Sequence, residues 1–128
     1  MTALPDNGRK QIMLVEDDES LRTMMVKALE VRYNVVSAAD GQIATELLSS
    51  GVRPDLFIFD VMMPHVDGLT LARRVKENPT LSRTPIILVS AKIGPQAVIM
   101  GIQAGAKHYI EKPFRIADLM SRIDQLLK

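Results

Sequence analysis

Polar side chains that could hold a cation and a phosphoryl group follow directly after four of the apolar segments in this chain. These side chains belong to Glu16, Asp17, Asp18, Asp60, Ser90 and Lys112. Carboxylates that lie close together repel one another unless a cation offsets their charge. Oxygen ligands without His or Cys suit Mg²⁺. The residue types therefore indicate a magnesium site, provided that the fold brings the ends of the segments together.

The same residues are suited to carry a phosphoryl group. A carboxylate such as that of Asp60 can accept one as an acyl phosphate, and Lys112 and Ser90 could bind the phosphoryl oxygens by charge and hydrogen bonding. Each residue alone has an ordinary interpretation. An acidic triplet is typical of a solvated loop or a helix N-terminus, and a single Asp or Ser is typical of a cap or a loop. The joint placement after four strands favours the chemical interpretation.

Three uninterrupted apolar runs predict strands over residues 12–15, 56–59 and 86–89. None of them alternates with polar residues, which is typical of strands that are buried on both faces. Weaker strand signals lie at residues 35–36 and 109–110. The sequence therefore predicts a five-stranded sheet.

Apolar residues at helical spacing separate these strands. The predicted helices cover residues 20–31, 41–50, 67–77, 95–104 and 116–127. We expect Ser20 to cap the first helix, Gly51 to end the second and Pro95 to lie in the first turn of the fourth. Five strand–helix units predict an α/β fold with a parallel, doubly wound sheet between two layers of helices. The carboxyl ends of such strands line one crevice, where the polar residues would converge.

Size and composition limit the other possibilities. The chain has 128 residues and a net charge of +1, which fits one domain without an overall basic field for nucleic acid. It contains no Cys, which excludes disulfides and thiolate sites. Its polar N-terminus and short apolar runs lack the signals of export or membrane insertion. We expect a cytoplasmic protein with a flexible N-terminal extension over residues 1–9, one domain over residues 10–128 and no second domain.

Several segments, taken together and in order, resemble the receiver domain of bacterial response regulators. The matching residues are 12–18, 55–64, 67–68, 86–92, 104–106 and 109–114. The resemblance covers residues 10–128 and implies a flavodoxin-like (βα)5 sandwich of three layers, with a parallel sheet in the order 2-1-3-4-5. It also implies a two-component signalling switch that takes a phosphoryl group from a histidine kinase or a phosphotransfer protein.

The resemblance implies a role for each residue of the predicted site. Asp60 would be the phosphoacceptor, and Lys112 would bind the phosphoryl group. Asp17 and Asp60 would bind Mg²⁺ directly, Glu16 would act largely through water, and the backbone carbonyl of Met62 would complete the protein ligands. The chain would catalyse its own phosphorylation and slow dephosphorylation, but its product would be a conformation. It would therefore be a switch and not an enzyme in the usual sense.

The resemblance also implies a conformational response to phosphate. Ser90 would move toward the phosphoryl group, Tyr109 would turn inward behind it, and the bond between Lys112 and Pro113 would be cis. Phosphorylation adds about −1.5 to −2 charge and three acceptor oxygens, which would change the face formed by the fourth helix, the fifth strand and the fifth helix. That face would bind an unidentified downstream protein. The chain would be a monomer or a phosphorylation-dependent dimer, without direct contact to nucleic acid or membrane.

Two features of the sequence call for separate expectations. Met62 lies where the family often has a polar residue, so we expect a slowly hydrolysed phosphate, and Lys92 could shield or contact the phosphoryl group. In the fourth helix, Ile99 and Ile102 fit a core stripe. Met100 should face outward, either as an ordinary exposed residue or as part of a docking surface.

Other functions fit the sequence less well. An interaction module that never takes phosphate is disfavoured, because all the expected types of site residue are present. A phosphatase with an Asp nucleophile usually has a second Asp two residues on, where this chain has Met62. No Gly-rich phosphate loop supports nucleotide binding, and no DNA-binding helix is predicted. His65 and His108 are expected to be polar surface residues, and the chain fits either a stand-alone protein or part of a larger regulator.

Overall fold

A computed structural model describes residues 7–128, in which five strands alternate with five helices. The strands are β1 (Gln11–Val15), β2 (Asn34–Ala38), β3 (Leu56–Asp60), β4 (Ile86–Ser90) and β5 (His108–Glu111). The helices are α1 (Glu19–Leu29), α2 (Gly41–Ser49), α3 (Gly68–Glu77), α4 (Pro95–Gln103) and α5 (Ile116–Leu126). Neighbouring strands are parallel, in the order β2-β1-β3-β4-β5. The predicted α/β fold and its strand order are confirmed.

Helices cover both faces of the sheet, because consecutive residues of a strand point to opposite sides. On one side, Phe57 belongs to a core that includes Leu71 of α3. On the other side, Ile58 belongs to a second core that includes Met25 of α1 and Leu119 of α5. The strands are apolar on both faces for this reason, and the molecule has the predicted three layers.

The strand register brings the polar residues to one edge of the sheet. Asp60 closes β3 and lies opposite Val89, while Ser90 closes β4 and lies opposite Glu111. β1 ends at Val15, directly beside β3. The residues that end or follow these strands therefore share the carboxyl edge of the sheet, as the strand–helix alternation predicts.

Helix α1 has a different N-terminal cap from the one expected. Oδ1 of Asp18 accepts a hydrogen bond from the amide of Leu21 at 2.9 Å, so Asp18 is the N-cap and Ser20 lies in the first turn. The predicted capping role of Ser20 is wrong. At this position a carboxylate accepts a hydrogen bond from a free amide. Its negative charge also interacts favourably with the positive end of the helix dipole. The third acid of the triplet therefore caps the helix.

Helix α4 packs on the sheet at a glycine. Gly101 is buried, whereas Ile99 and Ile102 are 55% and 47% exposed. The predicted core positions of Ile99 and Ile102 are wrong, while the outward direction predicted for Met100 is confirmed. A Cβ atom at Gly101 would lie 2.6 Å from Cδ2 of Tyr109. The helix therefore lies too close to the sheet for large side chains on that face.

The segment before β1 contacts the domain where it is described. The side chains of Asn7 and Asn34 exchange hydrogen bonds at 3.1 Å, and Nη1 of Arg9 donates to the carbonyl of Glu30 at 2.8 Å. Residues 1–6, which make up most of the extension predicted to be flexible, lie outside the described residues. Within residues 7–128, no helix has the length and apolar character needed to cross a membrane.

Candidate functional site

Three carboxylates meet at the carboxyl edge of the sheet, where β1 and β3 end. One oxygen atom from each of Glu16, Asp17 and Asp60 lies within 4.8 Å of the other two. Glu16 and Asp60 are buried, while Asp17 is exposed. The structure thus brings together the acidic residues that the sequence predicts for a magnesium site.

The ammonium group of Lys112 contacts two of these carboxylates. Its Nζ atom is 2.9 Å from Oε1 of Glu16 and 3.3 Å from Oδ2 of Asp60. Lys112 follows β5, and its bond to Pro113 is cis, as predicted. One ammonium group beside three carboxylates leaves an excess of negative charge. A set of oxygen donors with this excess fits a hard divalent cation such as Mg²⁺.

The environment of Asp60 favours its protonated form. Burial, then the charge of Glu16 and a hydrogen bond with it, raises the pKa of Asp60 to about 7 from an ordinary value of 3.8. Lys112 and the amide of Met62 oppose this change. Burial acts to lower the pKa of Lys112, but its hydrogen bond to Glu16 and the charges of Asp60 and Glu16 outweigh burial and raise it. Lys112 therefore remains an ammonium group, and added positive charge would favour ionised Asp60.

Several hydrogen bonds fix the turn that carries Glu16. Its Oε2 atom accepts from the amide of Asp18 at 3.1 Å, and its carbonyl accepts from Nη1 of Arg22 at 2.8 Å. Its amide donates to the carbonyl of Ala38 at 3.1 Å. Sequence reasoning missed Arg22, whose one signal is its position a helical turn after the acidic triplet. The guanidinium group therefore holds the turn through the carbonyl of Glu16 and not through its carboxylate.

Helix α3 begins directly against the end of β3. The amide of Gly68 donates to the carbonyl of Val61 at 2.9 Å, and a Cβ atom at Gly68 would lie only 2.2 Å from the carbonyl oxygen of Asp60. A side chain at this position would displace either the helix or Asp60. Gly68 therefore positions Asp60 through close packing, a role that its place in the sequence did not reveal.

Ser90 is connected to Tyr109 through the main chain of the β4–α4 loop. The buried Oγ atom of Ser90 accepts a hydrogen bond from the amide of Lys92 at 3.0 Å. The hydroxyl of Tyr109 donates to the carbonyl of Lys92 at 2.8 Å. In addition, the carbonyl of Ser90 accepts from the amide of Lys112 at 2.7 Å. Displacement of the loop at Lys92 would therefore affect both Ser90 and Tyr109.

Met62 and Lys92 lie on the same side of the site. Met62 is 51% exposed, and its amide donates to Oδ1 of Asp60 at 3.2 Å. Its side chain lines a shallow groove together with Asp67 and Lys92. The groove next to Asp60 thus has a thioether at the position where a polar side chain could have oriented water.

The two histidines have different surroundings. His65 is exposed and has a left-handed backbone φ of 68°. His108 is half-buried, and its Nδ1 atom lies 3.0 Å from Nη1 of Arg122. Burial and the charge of Arg122 lower the pKa of His108. The surface position predicted for His65 is confirmed, while His108 is a partly buried partner of α5.

This fold and its cluster of acidic residues have counterparts in known proteins. The family model of the response regulator receiver domain matches residues 12–124, and the chain belongs to this family. The chain is 35% identical over 119 residues to response regulator MprA of Mycolicibacterium vanbaalenii and 31% identical over 125 residues to histidine kinase P4 of Formosa agariphila. A solved signal receiver domain of a histidine kinase from Syntrophus aciditrophicus is 34% identical with a TM-score of 0.84, covering 92% of this chain and 89% of that one.

The relatives place receiver domains in proteins of different lengths. The two alignments cover 92% and 98% of this chain, but only 50% of MprA and 9% of histidine kinase P4. The chain therefore spans about half the length of the MprA relative. Receiver domains serve two-component signalling, in which they interact with histidine kinases and downstream effectors, and they bind Mg²⁺ at an acidic pocket. Glu16, Asp17 and Asp60 form an acidic cluster of this kind.

Proposed function

We propose that Asp60 accepts a phosphoryl group from the phosphohistidine of a histidine kinase or a phosphotransfer protein. The observation that carries this proposal is the position of the buried Asp60 carboxylate, beside Glu16 and Asp17 and 3.3 Å from the ammonium group of Lys112. The receiver unit would span residues 10–128 and would work in the cytoplasm, within reach of a nucleotide-dependent kinase.

In the proposed reaction, an Oδ atom of Asp60 attacks the phosphorus of the phosphohistidine. The new bond is an acyl phosphate, the N–P bond breaks, and the imidazole leaves as neutral histidine after taking a proton from water. Lys112 would bind one phosphoryl oxygen by charge and Ser90 would bind another by hydrogen bonding. Asp17, Asp60 and the carbonyl of Met62 would hold Mg²⁺, with Glu16 acting largely through water. The ion would supply positive charge at the phosphoryl oxygens.

The conformational response would pass through the β4–α4 loop. The hydroxyl of Ser90, whose Oγ atom now accepts from the amide of Lys92 at 3.0 Å, would donate its proton to a phosphoryl oxygen and move toward it. The loop would then shift and release the hydroxyl of Tyr109 from the carbonyl of Lys92. The ring of Tyr109 would turn inward and alter the face formed by α4, β5 and α5, where a downstream protein would bind to the monomer or to a phosphorylation-dependent dimer.

Phosphorylation can be measured directly by intact mass. We expect the wild type to gain one phosphate on incubation with Mg²⁺ and a small-molecule phosphodonor, and Asp60→Asn to gain none. A matched control is Asp55→Asn, because Asp55 lies at the other end of β3, where its Oδ2 accepts from the amide of Gln11. Failure of the wild type with several donors would contradict the proposal and would favour a pure interaction module.

A further inference from the structure

Helix α4 begins without the polar side chain that usually caps a helix. Gly94 is its N-cap residue, with a φ of 102°, and Pro95 follows in the first turn. Among residues 7–128, no side chain of the helix itself caps this end, and its first turn contains no acidic residue. The amides at the start of a helix have no partner within the helix and carry partial positive charge. The start of α4 therefore needs a partner from elsewhere.

Glu111 supplies that partner from the end of β5. Its Oε2 atom accepts a hydrogen bond from the amide of Gly94 at 2.9 Å. The strand register explains the contact, because Glu111 pairs with Ser90 and so lies next to the beginning of the loop that leads to α4. A carboxylate 17 residues away in sequence thus takes the place of a local cap.

Apart from the first helical bond, from the amide of Val98 to the carbonyl of Gly94, this bond is one of three that hold the β4–α4 loop, residues 91–94. The other two join the amide of Lys92 to Ser90 and the carbonyl of Lys92 to the hydroxyl of Tyr109. A phosphoryl group on Asp60 would draw the hydroxyl of Ser90 toward it. The bond from Gly94 to Glu111 would still resist movement of the loop.

We propose that Glu111 is a positioning residue that holds the β4–α4 loop in its resting position and thereby opposes activation. The inference rests on the proposed function, since it concerns the response to a phosphoryl group on Asp60. Glu111 does not touch the phosphoryl group in this scheme. It acts through Gly94, and its bond to that amide breaks when the loop moves toward Asp60.

The test compares the affinity of three variants for beryllofluoride, a mimic of the phosphoryl group, in the presence of Mg²⁺. Loss of a side-chain cap weakens a helix start to an extent that corresponds to about a fivefold change in an equilibrium constant. We therefore expect Glu111→Ala to bind beryllofluoride about fivefold more tightly than the wild type. Glu111→Gln keeps an acceptor oxygen and should bind nearly as the wild type does. Glu46→Ala, an exposed change on α2, is the matched control and should have no effect.

A second measurement follows the hydrogen bond itself. In the resting protein, the amide of Gly94 should exchange with solvent about fivefold faster in Glu111→Ala than in the wild type, and Glu111→Gln should restore slow exchange. Equal affinity of wild type and Glu111→Ala for beryllofluoride would overturn the positioning role, as would unchanged exchange at Gly94. If no variant, including the wild type, binds beryllofluoride, the proposed function itself fails, and that outcome differs clearly from equal binding.

Discussion

The chemistry of the site depends on how a single carboxylate is held. Asp60 is buried beside Glu16, and its pKa is raised to about 7 from an ordinary value of 3.8. The folded protein therefore binds a proton at Asp60 more tightly than the unfolded chain does. This contribution to stability is complete below about pH 4 and is lost as the pH rises through about 7.

We therefore expect Asp60→Asn to stabilise the protein at about pH 8 without divalent cations, because the amide removes the buried charge and keeps the shape. The melting temperature should rise by about 3 °C or more, the effect of roughly 1 kcal/mol in a domain of this size, and by less at about pH 5. Thermal unfolding in a chelator at both pH values measures the difference. Mg²⁺ should reduce the stabilisation by Asp60→Asn, and Glu46→Gln should leave the melting temperature unchanged at both pH values. A larger gain at the lower pH would contradict the raised pKa of Asp60.

Met62 is the residue expected to set the lifetime of the phosphate. Its side chain is exposed next to Asp60 and cannot donate a hydrogen bond to an attacking water. We expect Met62→Asn to release phosphate faster, by about tenfold, since orienting a reactant changes rates by at least this factor. Loss of phosphate from the purified phosphoprotein can be followed by intact mass. Ile43→Asn, a change of an exposed apolar residue on α2, should leave the rate unaltered. An unchanged or slower rate in Met62→Asn would refute this role.

At the scale of elements, the contact between α4 and β5 depends on Gly101. A Cβ atom there would lie 2.6 Å from Cδ2 of Tyr109 and 3.2 Å from Cδ1 of Leu88. The helix propensity of alanine is better than that of glycine by about 1 kcal/mol. Gly101→Ala would therefore stabilise an isolated α4. In the protein we expect the opposite result, a net loss of about 1–2 kcal/mol, because overpacking displaces the ring of Tyr109.

A double-mutant cycle separates these two effects. Chemical denaturation should show Gly101→Ala destabilising the wild type but stabilising the Tyr109→Ala background, where the ring is absent. The NMR resonances of the Tyr109 ring should also shift in the single variant Gly101→Ala. Equal effects of Gly101→Ala in both backgrounds would show that the contact with Tyr109 does not limit the position of α4.

The elements differ in how far the sequence predicts them. The strands β1, β3 and β4 are short apolar runs with a single interpretation, and their ends place Asp60 and Ser90 correctly. Helix α4 is different, because it is apolar on several sides, and hydrophobicity alone does not show which side packs. The side of the helix that carries Gly101 is buried, whereas Ile99 is exposed. The Asp18 cap and the contact between Glu111 and Gly94 depend on side-chain direction and strand register, which single residues do not reveal.

At the scale of the whole molecule, the site and a stabilising contact lie at opposite ends of the sheet. Asp124 of α5 binds the guanidinium group of Arg32 at 2.7 Å and accepts a hydrogen bond from the hydroxyl of Tyr33, just before β2. Burial, followed by the hydrogen bond and the charge of Asp124, raises the pKa of Tyr33 to about 12. The protonated phenol therefore contributes stability that is lost as the pH rises from about 10 through 12. This contact joins α5 to the segment before the edge strand β2, away from the acidic cluster of Glu16, Asp17 and Asp60.

We expect Asp124→Ala to lower the free energy of unfolding at neutral pH by about 1 kcal/mol. Most of this loss should come from the hydrogen bond with the phenol of Tyr33. The ion pair with Arg32 contributes little because it is largely exposed. The pKa of Tyr33 should fall but stay above its ordinary value, since burial, its largest cause, persists. Ultraviolet titration of tyrosinate in a Tyr109→Phe background measures that pKa. Gln125→Ala, an exposed change on the same helix, is the control for stability. Phosphate uptake at Asp60 should be unchanged in Asp124→Ala, and a loss of uptake would mean that this end of the molecule is coupled to the site.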